Sequence, residues 1–211
     1  MSHRTAVRLL SAILPLSAVL VALPAAHAER VVSRDATGDA SRFVESDLAV
    51  PEPVEPEFVV APEHEAIDIT RTVVDHRAAR LRVTVGYRNL SRNFHHTQFV
   101  RVRTPDKKFD IMVERLGGPA FPLLVAGRGN LVGCVGMDAS VDPSTDRIAL
   151  TVPTSCLEDP RWVSVGVGAF GMNRREMAAD PENFEVFIDD ANALGPFKDE
   201  DLRMGPKVHR G

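Results

Sequence analysis

Both cysteines of the chain fall in one stretch, Leu131 to Leu157, and that stretch reads as a β-hairpin. Ile148, Leu150 and Val152 alternate with polar or small residues, and Val135, Met137, Ala139 and Val141 do the same before them. This is the period-two signature of half-buried strands. Joined by the four-residue loop Pro143-Ser144-Thr145-Asp146, the arms place Val141 opposite Ile148, Ala139 opposite Leu150 and Met137 opposite Val152, giving one apolar face. The same register sets Cys134 opposite Ser155, one residue short of Cys156, where Pro153 bends the strand. A Cys134–Cys156 disulfide is within reach, with two buried free thiols as the competing reading.

The choice turns on compartment. Arg4 and Arg8 precede an apolar run from Leu9 to Leu23, and Ala26-His27-Ala28 supplies the small residues around a cleavage site. Residues 1–28 read as a signal peptide, so the mature chain is expected to be secreted, either extracellular or in the cell envelope. Export to an oxidising compartment favours the disulfide. No further stretch approaches the length of a membrane span. Without Arg4 and Arg8 the chain keeps 23 basic against 29 acidic residues, a charge near −6. No basic stripe suited to nucleic acid is apparent.

Residues 29–65 are acidic and proline-rich, most clearly at Val50-Pro51-Glu52-Pro53-Val54-Glu55-Pro56-Glu57, and read as an extended linker. Residues 66–170 carry the strands. Ile67, Ile69 and Val73 suggest one, and Leu81, Val83, Val85 and Tyr87 a second, joined across Asp75 to Ala79. Val100 and Val102 lead through Thr104-Pro105-Asp106-Lys107 to Ile111-Met112-Val113. Phe121 to Ala126 reads as an edge strand because Pro122 removes a ladder donor. Val163, Val165, Val167 and Ala169 form the last one, and residues 171–211 a partly irregular tail. The fold expected is all-β, a single antiparallel β-sandwich.

Several of these segments together resemble an uncharacterised group of secreted actinobacterial β-sandwich proteins. They are Asp35-Ala36-Thr37-Gly38-Asp39-Ala40, then Asp68-Ile69, Val152-Pro153-Thr154-Ser155-Cys156-Leu157, Asp189-Asp190-Ala191 and the closing Val208-His209-Arg210-Gly211. The resemblance implies a fold and an exported location, and carries no activity.

Motifs with chemical meaning are few. Gly166-Val167-Gly168-Ala169-Phe170-Gly171 matches G-x-G-x-x-G, with Asp189 and Asp190 about the right distance on. Too little chain follows to complete a parallel sheet, so the glycines are expected to be strand residues or points of close approach. His95 and His96 point to opposite strand faces, and with His64 and His76 read as surface histidines. Trp162 and Tyr87 read as core or sheet-edge residues. No serine occupies G-x-S-x-G.

Asp35, Asp39 and Asp68 form a candidate calcium site, since two aspartates around a glycine turn can converge on one hard cation. Solvated turn residues are the competing reading. The functional expectation is a non-catalytic secreted or envelope-associated module, binding or structural, whose partner is an unknown protein or glycan at the cell surface. The alternative is a secreted hydrolase with an unrecognised carboxylate pair. The oligomeric state is not encoded in any motif.

Overall fold

A computed structural model describes residues 29–44, 58–91, 94–115, 119–127, 129–181, 183–193, 197 and 201–211. Residues 1–28, expected to be a signal peptide, and the Pro-Glu run at 51–57 lie outside the described residues.

Among these residues the architecture is nearly all β, in two antiparallel sheets. The smaller sheet has the order β1(Glu29–Arg34), β4(Ile69–His76), β5(Arg80–Tyr87), β11(Arg147–Pro153), β10(Asp138–Asp142). The larger runs β3(Val59–Val60), β2(Ser41–Val44), β13(Glu185–Asp190), β12(Trp162–Asn173), β6(Phe94–Arg103), β7(Lys108–Arg115), β8(Phe121–Ala126), β9(Asn130–Val132), with β14(Lys207–His209) also on β12. One core cluster draws alternating residues from both: Leu81, Val83, Val85, Ile148 and Leu150 from the smaller sheet, Val100, Val102, Ile111, Val165 and Val167 from the larger. Facing apolar rows with solvated outer faces define a β-sandwich.

The cysteine hairpin forms as expected. Val141 pairs with Ile148 and Ala139 with Leu150, and Asp142 holds the loop by accepting from Ser144 N at 3.0 Å. The ladder stops at Asp138–Thr151, so Met137 does not reach Val152. Instead the chain turns at Gly136 (φ 87°), and Cys134 bonds Cys156 in the short 3-10 turn Thr154–Leu157.

The expected boundaries shift at both ends. Residues 29–65 are not merely a linker: they contribute β1 to the smaller sheet and β2 and β3 to the larger. Arg30, Val32 and Arg34 face solvent, so the segment looks polar, yet β1 pairs along its whole length with β4. The sandwich also continues past residue 170, because β12 runs on to Asn173 and β13 and β14 both pair with it. The helix α1(Arg174–Ala179) lies between β12 and β13, capped by the Asn173 side chain accepting from Arg175 N. Nor is Phe121 to Ala126 an edge, since β9 covers it.

The glycines of the G-x-G-x-x-G match lie within β12, an antiparallel strand, and serve close approach. A Cβ on Gly168 would stand 2.6 Å from Leu202 Cδ2. One on Gly171 would collide with Phe94 Cε1 and lie 2.8 Å from Ile67 Cγ2. Phe94 and Ile67 are both buried, so neither ring nor methyl has room to withdraw. Gly171→Ala is therefore expected to destabilise the protein by about 1–3 kcal/mol through overpacking, read from urea unfolding midpoints. An unchanged midpoint would show that the Phe94 ring yields.

Candidate metal centre

The chain changes sheets between β1 and β2, and Asp35 and Asp39 lie on that crossing. Asp35 N donates to Thr70 O at 3.2 Å, so the turn is moored beside the start of β4. Asp189, 150 residues beyond Asp39, arrives on β13, the strand that pairs with β2. One oxygen from each of Asp35, Asp39 and Asp189 lies within 4.8 Å of the others. The three carboxylates thus meet at the seam between the two sheets.

Asp189 is the most enclosed, with 3% of its surface exposed. Its Oδ2 accepts from Ile69 N at 2.7 Å and its Oδ1 from Asp190 N at 2.9 Å. Those bonds fix the carboxylate across the sheet boundary, since Ile69 belongs to the smaller sheet and Asp189 to the larger. Asp35 Oδ1 accepts from Ala36 N at 3.0 Å, while its Oδ2 is buried with no hydrogen-bond donor among the described residues.

Crowding three carboxylates away from water disfavours their charged forms. Burial, then the neighbouring Asp189 and Asp39, pushes the Asp35 carboxyl up to about 8. Burial also lifts Asp189 to about 8, with Asp39 and Asp68 adding repulsion against the lowering effect of the Ile69 amide. Asp190 is raised as well, by burial, although it accepts from Arg203 N and Asn192 N. The raised carboxyls of Asp35 and Asp189 mark a place that protons or a cation would stabilise.

Asp68 does not join the set. Its Oδ2 accepts from Gly38 N at 2.7 Å and from Arg88 Nη1 at 2.8 Å, and its side chain is fully buried. Arg88 also donates to Pro62 O and Glu65 Oε1. Asp68 therefore shapes the turn from beneath: by holding the amide of Gly38, whose φ is 79°, it sets the loop that carries Asp35 and Asp39. Asp189 is the member of the carboxylate cluster that sequence reasoning missed. The sequence marks Asp189 twice, in the Asp189-Asp190-Ala191 resemblance and as an acidic residue beyond the G-x-G-x-x-G match, but neither points to a metal.

The histidines are corrected too. His76 and His96 are 0% and 1% exposed, and are not surface residues. The alternation itself holds, since His96 turns inward while its neighbour His95 stays partly exposed. His96 packs edge-on against Tyr87, and burial holds it down to about 3, so it is neutral. His64 stacks on Phe187 with ring centroids 3.3 Å apart. Tyr87 is core, its hydroxyl donating to Gln98 Oε1, and Trp162 carries Lys207 over its ring at 4.3 Å.

Fold and site together define a class: an all-β, two-sheet, disulfide-bonded protein with an acidic cluster at the seam of its sheets. Comparison with protein-family models, with curated proteins and with solved structures gives no match. Among the described residues no helix is long and apolar enough to cross a membrane.

Proposed function

We propose that the chain is an exported, non-catalytic binding module whose two sheets are clamped by a calcium ion at Asp35, Asp39 and Asp189. The observation that carries the reading is the convergence of three carboxylates, from two distant parts of the chain, on one point where burial and mutual repulsion raise Asp35 and Asp189. Calcium fits the chemistry best: the ligands are hard oxygens, their arrangement is irregular, and extracellular sites of this kind work at about 10⁻⁴–10⁻³ M. Export is supported by the signal-peptide pattern at 1–28 and by the Cys134–Cys156 bond. The hydrolase reading is weaker, because the trough on the outer face of the smaller sheet is lined by one carboxylate, Asp75, and not by a pair.

Thermal melting at pH 7.5 in chelator and in calcium tests the clamp. A ligand that binds only the native state at about 100 times its Kd stabilises it by about 2.7 kcal/mol, so calcium is expected to raise the wild-type midpoint clearly. Asp35→Asn removes one ionisable carboxyl and keeps the shape. In chelator it is expected to melt above wild type, since it removes the cost of burying that carboxyl beside Asp189 and Asp39, and it is expected to lose the calcium response. Equal calcium responses in the two proteins would reject the site.

A further inference from the structure

We infer that the outer face of the smaller sheet is a binding trough for an acidic polysaccharide, gripped by Arg30, Arg71, Arg82 and Arg147. The inference rests on the reading of the chain as an exported binding module, and adds where it binds and what; it uses none of the cation ligands. The trough encloses about 280 Å³, and all four arginines line it.

Strand register dictates the layout. Arg30 on β1, Asp75 on β4 and Arg82 on β5 stand in one row across the sheet. Arg34, Arg71, Gly86, Arg147 and Asp142 stand in another, four residues along the strands; Asp142 accepts from Ser144 and Thr145, and the first row continues through Thr151 to Asp138 at the β10 edge. Between them runs a neutral row of Val32, Val73, Thr84 and Ala149. At strand spacings the two rows lie about 13 Å apart, with about 10 Å between Arg30 and Arg82 and between Arg71 and Arg147, and about 5 Å between Arg34 and Arg71. Gly86, having no side chain, leaves the space between Arg71 and Arg147 open.

The four guanidinium groups are unspent. None of them forms an ion pair among the described residues, whereas Arg42, Arg77, Arg88, Arg101 and Arg210 all do. The carboxylate that might have neutralised Arg30 and Arg82 is Asp75, and Arg77 already holds both its oxygens, at 3.1 and 3.0 Å. This is a concentration of positive charge on a chain whose mature net charge is near −6. Arginine forks match carboxylates bidentately, so the patch is built for planar oxyanions.

The neutral central row selects the polymer. A densely charged chain such as polyphosphate would set anions over Val32 and Val73, where nothing answers them. An extended polyuronate carries one carboxylate per sugar, with apolar C–H ring faces between. Laid along the valine row, across the strands, it rests those faces on Val32 and Val73 and turns its carboxylates to the arginine rows on either side. Nucleic acid fits poorly, because none of the trough residues is aromatic and bases would have no stacking platform. A peptide strand is also excluded from the centre of the sheet, where every ladder is already paired.

Binding of the full mature chain to polygalacturonate, dextran and polyphosphate is to be measured by affinity electrophoresis and calorimetry. Chelator is present throughout, at pH 6, so that calcium bridging plays no part. Wild type is expected to bind polygalacturonate and not dextran, more weakly at high salt. Arg30→Ala/Arg82→Ala and Arg71→Ala/Arg147→Ala are each expected to weaken binding at least tenfold. Arg175→Ala, an exposed arginine on α1, is expected to leave it unchanged. Polyphosphate binding as tight as polygalacturonate binding would overturn the glycan assignment. Binding that is undiminished in both double variants would overturn the trough while leaving a binding module intact. Absence of any polymer binding, with a calcium-dependent melting temperature retained, would overturn this inference and leave the cation clamp standing.

Discussion

Metal-free protein is expected to melt at progressively lower temperature as pH rises from about 4 to about 8, and saturating calcium is expected to flatten that slope. Asp35 and Asp189 both have native values lifted from 3.8 to about 8. Between those limits the native state retains protons that the unfolded chain has released. Stability therefore falls as pH rises, and is lowest once both groups must ionise inside the fold. A bound cation supplies the countercharge that the protons supplied, so it removes the penalty and must expel them to do so. Apparent calcium affinity is expected to climb with pH up to about 8, with proton release measurable by calorimetry in buffers of different ionisation enthalpy. A metal-free stability that rises over the same range would show that the carboxylates are well solvated and that the clamp does not exist.

The second large effect is expected from Cys134→Ser/Cys156→Ser, which should cost about 3 kcal/mol of unfolding free energy, taking loop closure over a separation of 22 residues. The bridge ties the approach to β10, an edge strand of the smaller sheet, to the 3-10 turn that follows β11. Val135 beside it is 96% exposed, so little packing holds this corner in its absence. Urea unfolding of the double variant, and of reduced wild type, checks the value. A midpoint equal to that of oxidised wild type would show that the turn is held by its backbone bonds alone, such as Thr154 N to Ala79 O at 3.1 Å.

Local pattern carried much of the architecture. Strict alternation at Leu81–Tyr87 and Arg147–Val152 was enough to place β5 and β11, because each strand buries one face and its period-two signal survives in a single sequence. It failed at β1 to β3. There the outward residues Arg30, Val32 and Arg34 and the neighbouring proline-rich run suggested a solvated linker. What makes β1 a strand is its partner, β4, and β2 owes its place to β13 more than 140 residues away. Strand formation of this kind is a tertiary property. The site divides the same way: Asp35 and Asp39 were visible because one glycine turn holds both. Asp189 was not, since only sheet closure brings it to them. An aspartate at a strand start reads the same in sequence whether it faces a cation or, like Asp68 Oδ2, Arg88 and the Gly38 amide, and Asp68 stands outside the three converging carboxylates.

The crossing of the N-terminal segment from one sheet to the other also governs the order of events in time. β2 has no partner on the larger sheet's main body until β13 has been made, so β2 and β3, unlike β1, are among the last strands that can be completed. Such long-range pairing makes for slow folding. The three aspartates come together only in that final closure, and a cation at the seam can recognise nothing that precedes it. Calcium would then act as a latch on the finished molecule, slowing its unfolding while leaving its rate of folding nearly unchanged.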